Sequence, residues 1–329
     1  PHPAIRDSST SRGLGDVYKR QIIHTSVGTP DPREYPPMLS STSFRIAVSQ
    51  LATLRWGLAE ELCHYTEHGF DAISLWRPKL SDLSICEARE FLDSAGVRVS
   101  SIQWPGGFTG SEGQTFRESL EDAYEAIDIA EQLDCPLVVL RTGARAGHTL
   151  SHARRLIRLA IEELAPAAEA AGVTLVMKPS KAEASFLTTL RDALAILDAS
   201  DCPNIGLAVD LWSFSEELIA LQSKSSVLER TKIVSVADQS KSISSGYERL
   251  PPGAGDLPLT GLLHLLFESG YRGEIEFDPV GQTVSSMGYE ELLASLRHYV
   301  DDVQSDMNVI EYNPRRSKMP LAMAEAFPR

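Results

Sequence analysis

Residues 173–181 read VTLVMKPSK, a run of Val, Thr, Leu, Val and Met that follows a glycine and ends in a lysine and a proline. Such a stretch is what a central parallel strand looks like, because helices cover the sheet on both sides and no polar alternation is needed. Pro179 keeps the residue before it extended, so Lys178 stays on the strand's period and shares a face with Val176 and Thr174. An ammonium group at the end of a buried strand requires anionic partners.

Outward from this strand the same unit recurs: an amphipathic helix, a glycine, then a short apolar strand. EHGFDAISLW, DSAGVRVSSIQW, EAAGVTLVMKP and ESGYRGEIEFDP put Gly69, Gly96, Gly172 and Gly270 at helix ends, where a left-handed residue is needed. Phe116, Leu120, Ala123, Ile127 and Ala130 fall on one helical face, as do Ala153, Leu156, Ile157, Ala160, Ile161 and Leu164. Ser84 and Glu87 form a capping box ahead of the third strand. Strands are expected at Arg45–Ser49, Ala72–Leu75, Val97–Gln103, Leu137–Arg141, Val173–Lys178, Ile205–Asp210, Ile233–Ala237 and Glu274–Asp278. Strands alternating with helices over roughly 250 residues imply a single (β/α)8 TIM barrel, with its active site in the loops at the strands' carboxyl ends. An open doubly wound sheet fits less well, since no GxGxxG follows the first strand.

The 329 residues, 43% apolar and 23% charged, supply ample core for such a domain. A net charge of −14 argues against a nucleic-acid groove and for a small-molecule partner. With no membrane-length apolar run and no signal-peptide pattern, a cytoplasmic protein is expected, and a homo-oligomer is compatible with the sequence. Cys63, Cys86, Cys135 and Cys202 lack CxxC spacing and read as reduced thiols. Residues 11–21, SRGLGDVYKRQ, resemble the translation of a sequencing-library adapter, so residues 1–21 are expected to be an artefact. The native start is expected at Met38 and residues 22–43 as a disordered leader. The barrel is assigned to residues 44–303 and a solvated tail to 304–329.

At the carboxyl ends of the expected strands stand Gln50, Arg77, Gln103 with Trp104, Arg141, Lys178, Asp210, Asp238 and Asp278. On the last strand Glu274, Glu276 and Asp278 share a face opposite Ile275 and Phe277, and that acidic face is expected inside the barrel. Asp238 is out of phase with Ser235 and Ala237 and reads as a loop residue. The segments IGLAVDLW, RLPPGAGDLPL and GYRGEIEFDP resemble the xylose isomerase-like sugar phosphate isomerase/epimerase family of carbohydrate metabolism, over about Phe44 to Asp302.

That resemblance implies a divalent cation, Mn²⁺, Mg²⁺ or Zn²⁺, held by a glutamate ending strand 5, an aspartate ending strand 6, a histidine or glutamine on strand 7 and a glutamate ending strand 8. At those positions this chain has Lys178, Asp210, Ser235 and Asp278, and Ser213 where the family often has a histidine. The resemblance also implies that Arg249, with Gly253 and Gly255, approaches the substrate's hydroxyl or phosphate end. A lysine ammonium has no lone pair and repels a metal ion, so the site reads as degenerate, no cofactor is expected, and only Asp210 and Asp278 remain as candidate metal ligands. The Lys178 amino group is expected in the metal's position, neutralised by Asp210, Asp278 and Glu276.

The expected reaction is isomerisation or epimerisation of a small sugar or keto acid by proton transfer. Lys178 would polarise a carbonyl while Asp278 or Glu276 moves the proton, with Asp210 beside them. The alternatives are an inactive sugar-binding barrel whose ion pairs are relics, and a lyase in which Lys178 forms a Schiff base. Gln103, Trp104, Arg141, Trp212, Ser235 and Arg249 are the candidate substrate contacts, with Trp76 as a further aromatic wall. Of the eight histidines, His148 alone falls in a strand-end loop.

Overall fold

The computed structural model describes residues 45–181, 185–220, 226–241 and 248–312, with side chains described as far as 307. All of these fall in one compact unit, Phe44–Arg329. The readings of residues 1–43 and of most of the tail lie outside the described residues.

Eight parallel strands close into a barrel in sequence order. They are β1 (Arg45–Ser49), β2 (Ala72–Trp76), β3 (Arg98–Gly106), β4 (Leu137–Arg141), β5 (Thr174–Lys178), β6 (Ile205–Asp210), β7 (Thr231–Val236) and β8 (Glu274–Phe277). β1 pairs with β8 along Arg45 to Val48, which removes both sheet edges. Outside lie α1 (Leu58–Glu67), α2 (Ile85–Ala95), α3 (Phe116–Gln132), α4 (Leu150–Ala170), α5 (Leu190–Ser200), α6 (Leu211–Ala220), α7 (Ser226–Arg230), α8 (Leu259–Glu268), α9 (Gln282–Met287) and α10 (Tyr289–Tyr312). The expected capping box opens α2, and Gly96 closes it at φ 67°, a conformation that a Cβ would strain. The apolar faces read for α3 and α4 are buried at Ala123, Ile127 and Ala130 and at Ala153, Ile157, Ala160, Ile161 and Leu164.

The bounds of β2, β3, β5, β7 and β8 differ from expectation by one to three residues. β3 runs on to Gly106 because that glycine closes against the end of β4, where an added Cβ would lie 2.1 Å from the Arg141 carbonyl oxygen. β8 stops at Phe277, although the Asp278 amide still donates to the Val236 carbonyl at 3.3 Å.

The barrel interior is layered. Its amino end carries an ion cluster: Glu274 accepts both Arg98 guanidinium nitrogens at 2.9 and 3.0 Å and meets Arg45 at 3.0 Å. An apolar layer of Leu137, Val139, Val176, Ala208 and Ile233 packs against Trp104. Polar side chains then take over toward the carboxyl end. The alternation read on β8 holds: Glu274 and Glu276 are buried among polar partners, while Ile275 and Phe277 pack outward with Leu263, Val300 and Val303. No helix among the described residues is long and apolar enough to cross a membrane.

The loop after β7 is pinned to the barrel. Asp238 and Leu250 exchange backbone hydrogen bonds at 2.8 and 2.9 Å, and Arg249 and Val280 do so at 3.0 and 2.9 Å. The Asp238 carboxylate accepts the amides of Gly253, Gly255 and Leu257, each at 3.0 Å. A Cβ at Gly255 would lie 2.5 Å from Asp238 Oδ1, so these glycines let the loop wrap a carboxylate of the protein's own. Asp238→Ala is expected to cost about 3 kcal/mol, because several amides lose their acceptor, whereas Asp238→Asn, which keeps one acceptor oxygen, loses less. Urea unfolding measures both; an unchanged midpoint for Asp238→Ala would show that this carboxylate does not hold the loop.

Candidate active site

β5, β6 and β8 deliver three ionic side chains to the carboxyl mouth of the barrel, and the pinned loop delivers the fourth. Arg249 is clamped through both backbone groups to Val280, so its side chain enters from a fixed origin. Its guanidinium forks onto Asp210, with contacts of 3.0 and 2.9 Å, and also reaches Asp278 Oδ1 at 2.5 Å and the Asp278 carbonyl at 3.2 Å. Lys178 donates to Ser235 Oγ at 2.9 Å, lies 3.5 Å from Asp278 Oδ2, and sits 5.4 Å from the Trp104 ring centroid. The four strand-end positions Lys178, Asp210, Ser235 and Asp278 thus converge as the sequence implied.

The geometry corrects one part of that reading. Arg249, expected at the substrate, is the cation seated between Asp210 and Asp278, while Lys178 is displaced toward Ser235. The planar five-donor fork of the arginine explains why, since it satisfies two carboxylates at once where an ammonium is a point charge. Two buried aspartates need two cations, and Lys178 supplies only one. That charge count was the available signal for a second cation among the mouth residues.

Burial works against ionised Asp210, yet the facing Arg249 and then Lys178 outweigh it and hold its carboxyl below the usual range; Ser213 adds a hydrogen bond at 2.9 Å. Burial likewise opposes charge on Arg249, but Asp210 and Asp278 raise its pKa and keep it protonated. Two positive and two negative groups balance, and a third carboxyl, Glu276, is left without a cation of its own. Glu276 is fully buried, accepting Gln103 Nε2 at 2.5 Å and Ser101 Oγ at 3.1 Å. Burial raises its pKa and Asp278 adds to that, with Lys178 and the hydrogen bonds pulling the other way.

The remaining candidates divide. Gln103 belongs to the interior network, donating also to Ser74 at 2.7 Å, and its Oε1 has no partner. Trp104 lies under Lys178, and its Nε1 is likewise buried without a partner. Trp212 donates to the Glu248 carbonyl at 3.0 Å and carries Arg249 over its ring at 5.6 Å. Arg141 pairs with Glu112 of the neighbouring loop, and Arg77 pairs with Asp122 at 2.6 Å. His148 bonds the Thr109 carbonyl at 3.1 Å, within the loops after β3 and β4. A feature absent from the sequence reading is the buried Glu61, held by Gln50 and Thr53, each at 2.6 Å, and by Lys79; it braces the mouth at β1 and β2.

A divalent ion does not fit this donor set. The facing oxygens of Asp210 and Asp278 are occupied by Arg249, Lys178 offers no lone pair, and Ser235 is a weak neutral ligand already bound to Lys178. Among the described residues, no group of three histidine, cysteine or carboxylate ligands forms at the mouth.

Residues 64–299 match the sequence model of the family described as xylose isomerase-like TIM barrel. An inosose isomerase of Halalkalibacterium halodurans is 22% identical over 282 residues, covering 81% of this chain and 99% of that protein. A Streptomyces coelicolor protein provisionally named hydroxypyruvate isomerase is 29% identical over 262 residues, covering 70% and 88%. The crystal structure of the IolI protein with a bound zinc atom superposes with a TM-score of 0.69 at 19% identity, covering 80% of this chain and 99% of that one. That likeness establishes the fold.

The two shifted carboxyls give opposite pH signatures. Asp210 has a folded pKa below its unfolded one, so its stabilisation is present above the unfolded value and is lost as pH falls through the folded value. Glu276 has a folded pKa above its unfolded one, so its contribution is present below the unfolded value and is lost as pH rises through the folded value. Glu276→Gln, neutral at every pH, is therefore expected to gain in Tm relative to the unsubstituted chain as the pH rises above the ordinary glutamate range. Asp210→Asn is expected to fall behind in the same scan. A difference for Glu276→Gln that does not change with pH would contradict the unmatched, buried carboxyl.

Proposed function

The chain belongs to the xylose isomerase-like TIM-barrel family, and from that premise we propose that it is an isomerase or epimerase that moves a proton between neighbouring carbons of a small hydroxylated sugar or keto acid. The observation that carries this reading is Glu276, a fully buried carboxyl held by Gln103 and Ser101 beside Lys178, with its pKa raised by burial. The names of the relatives, an inosose isomerase and a provisional hydroxypyruvate isomerase, support the same reaction class.

In this reading Lys178 donates a hydrogen bond to the substrate carbonyl and stabilises the negative charge that develops on its oxygen when the adjacent C–H proton is removed. Glu276 takes that proton and returns it to the neighbouring carbon for isomerisation, while the hydroxyl proton passes to the former carbonyl oxygen, or to the opposite face of the same carbon for epimerisation once the intermediate has turned over. Asp278 and Ser235 aim Lys178, and Arg249 pairs with both Asp210 and Asp278. Gln103 Oε1 and Trp104 Nε1, an unpartnered acceptor and an unpartnered donor on adjacent residues, suit a substrate hydroxyl, which can serve both roles. Two internal cations stand where the family's resemblance places a metal, so turnover needs no divalent ion.

The full saturation of Asp210 and Asp278 by Arg249 favours a second reading, a barrel that binds the same ligands without turning them over. Solvent exchange separates the two. Hydroxypyruvate, an inosose and a ketohexose are each incubated with the protein in D2O containing EDTA, and C–H loss is followed by NMR. Exchange into at least one substrate is expected, falling by roughly a hundredfold or more in Lys178→Ala and in Glu276→Gln. Binding without exchange would establish the non-catalytic reading, exchange only after metal addition would remove the internal-cation mechanism, and borohydride trapping of substrate on Lys178 would replace it with Schiff-base chemistry.

A further inference from the structure

The first and last helices of the barrel, α1 and α10, meet beside the seam where β1 pairs with β8, and four side chains that the mouth does not use gather there. His64 and Glu67 come from α1, His68 from its carboxyl end and Glu290 from the first turn of α10. His64 Nδ1 lies 3.2 Å from Glu67 Oε2 and 2.5 Å from Glu290 Oε1, and His68 Nε2 lies 3.5 Å from Glu290 Oε2. One ligand atom from each of His64, Glu67 and Glu290 falls within 4.8 Å of the other two.

The imidazoles are held as metal ligands are held. His68 Nδ1 is 2.8 Å from the His64 carbonyl; a carbonyl only accepts, so Nδ1 donates there and the ring is held with Nε2 toward Glu290. The His64 ring lies flat on Trp56, with centroids 4.4 Å apart at 23°, and Tyr289 braces Trp56 edge-on at 5.1 Å. His64 Nδ1 is shut off from solvent, and the groups that face it are the carboxylates of Glu67 and Glu290. Among the described residues the ion pairs of Glu67 and Glu290 are with these imidazoles alone. Two carboxylates thus converge on one imidazole nitrogen.

We propose that this cluster binds one divalent transition-metal ion of the Zn²⁺ type, which clips the first helix to the last across the barrel seam. Nitrogen and carboxylate bonds of 2.0–2.2 Å at tetrahedral angles put neighbouring donors about 3.4 Å apart. The 3.2 Å separation of His64 and Glu67 matches that spacing, and the 2.5 Å approach of Glu290 widens to admit the ion. The mixed imidazole and carboxylate set suits Zn²⁺ over Mg²⁺ or Ca²⁺, which take oxygen ligands. The ion stabilises the fold and takes no part in the reaction at the mouth.

Calorimetric titration of the full chain with ZnCl₂, paired with thermal melts, tests the clip. One ion per chain is expected, with Tm rising by about 4 °C at a hundredfold excess over Kd, and with Co²⁺ giving visible d–d bands. Glu290→Gln, a substitution at an exposed position, should keep the metal-free Tm and lose the titration, the Tm rise and the cobalt bands; His64→Gln should do the same to the binding. No saturable binding would overturn the proposal. So would binding retained in the Glu290→Gln/His64→Gln double variant, which would put the ion elsewhere.

Discussion

Two aspartates are buried at the mouth of the barrel, Asp210 ending β6 and Asp278 just past β8, and two cations are brought to them. The cost of leaving either carboxylate unpaired in that environment exceeds what any single loop contact returns, so the surrounding architecture follows from meeting it. Arg249 must arrive at a fixed angle, which requires the loop after β7 to lie as a short strand against Val280 and Leu250 to be tied to Asp238. Asp238 must gather three loop amides, which requires glycines at 253 and 255. Glu276, one step inward, has its pKa raised by burial, with Asp278 adding to the rise and Lys178 opposing it.

A metal ion and a pair of organic cations solve the same electrostatic problem differently. A divalent ion draws several oxygen and nitrogen donors around itself and acts as a Lewis acid. Arg249 and Lys178 separate those two roles, since the guanidinium is consumed in neutralising the aspartates while the ammonium keeps N–H groups beyond its bond to Ser235. In the proposed reaction this division leaves Lys178 to act as the electrophile and Glu276 to carry the proton. It also accounts for the serine at 235, whose hydroxyl accepts from an ammonium where a neutral imidazole would compete to donate.

Most of the fold was legible in the sequence because its signals are local. The VTLVMK strand, the glycine-terminated helices and the Ser84–Glu87 box each depend on a few neighbouring residues, and the structure places them where their periodicity does. The inward acidic face of β8 was legible for the same reason. The pairing of Arg249 with Asp210 and Asp278 was not legible because it depends on a long-range charge balance among residues 178, 210 and 278, which no window of sequence displays. Glu61 was overlooked since a helical glutamate reads as solvated, and only the tertiary approach of Gln50, Thr53 and Lys79 reveals it as buried. The extension of β3 to Gly106 likewise depends on contact with the end of β4.

The central claim is that the guanidinium of Arg249, with Lys178 beside it, holds the place of a metal at the mouth. The most direct measurement is an anomalous difference map from crystals soaked in Mn²⁺, since it locates the ion and shows the side chains together. The account predicts no manganese peak within bonding distance of Asp210 or Asp278 and a guanidinium still forked across both. A manganese ion ligated by those two carboxylates, with Arg249 swung away, would contradict it.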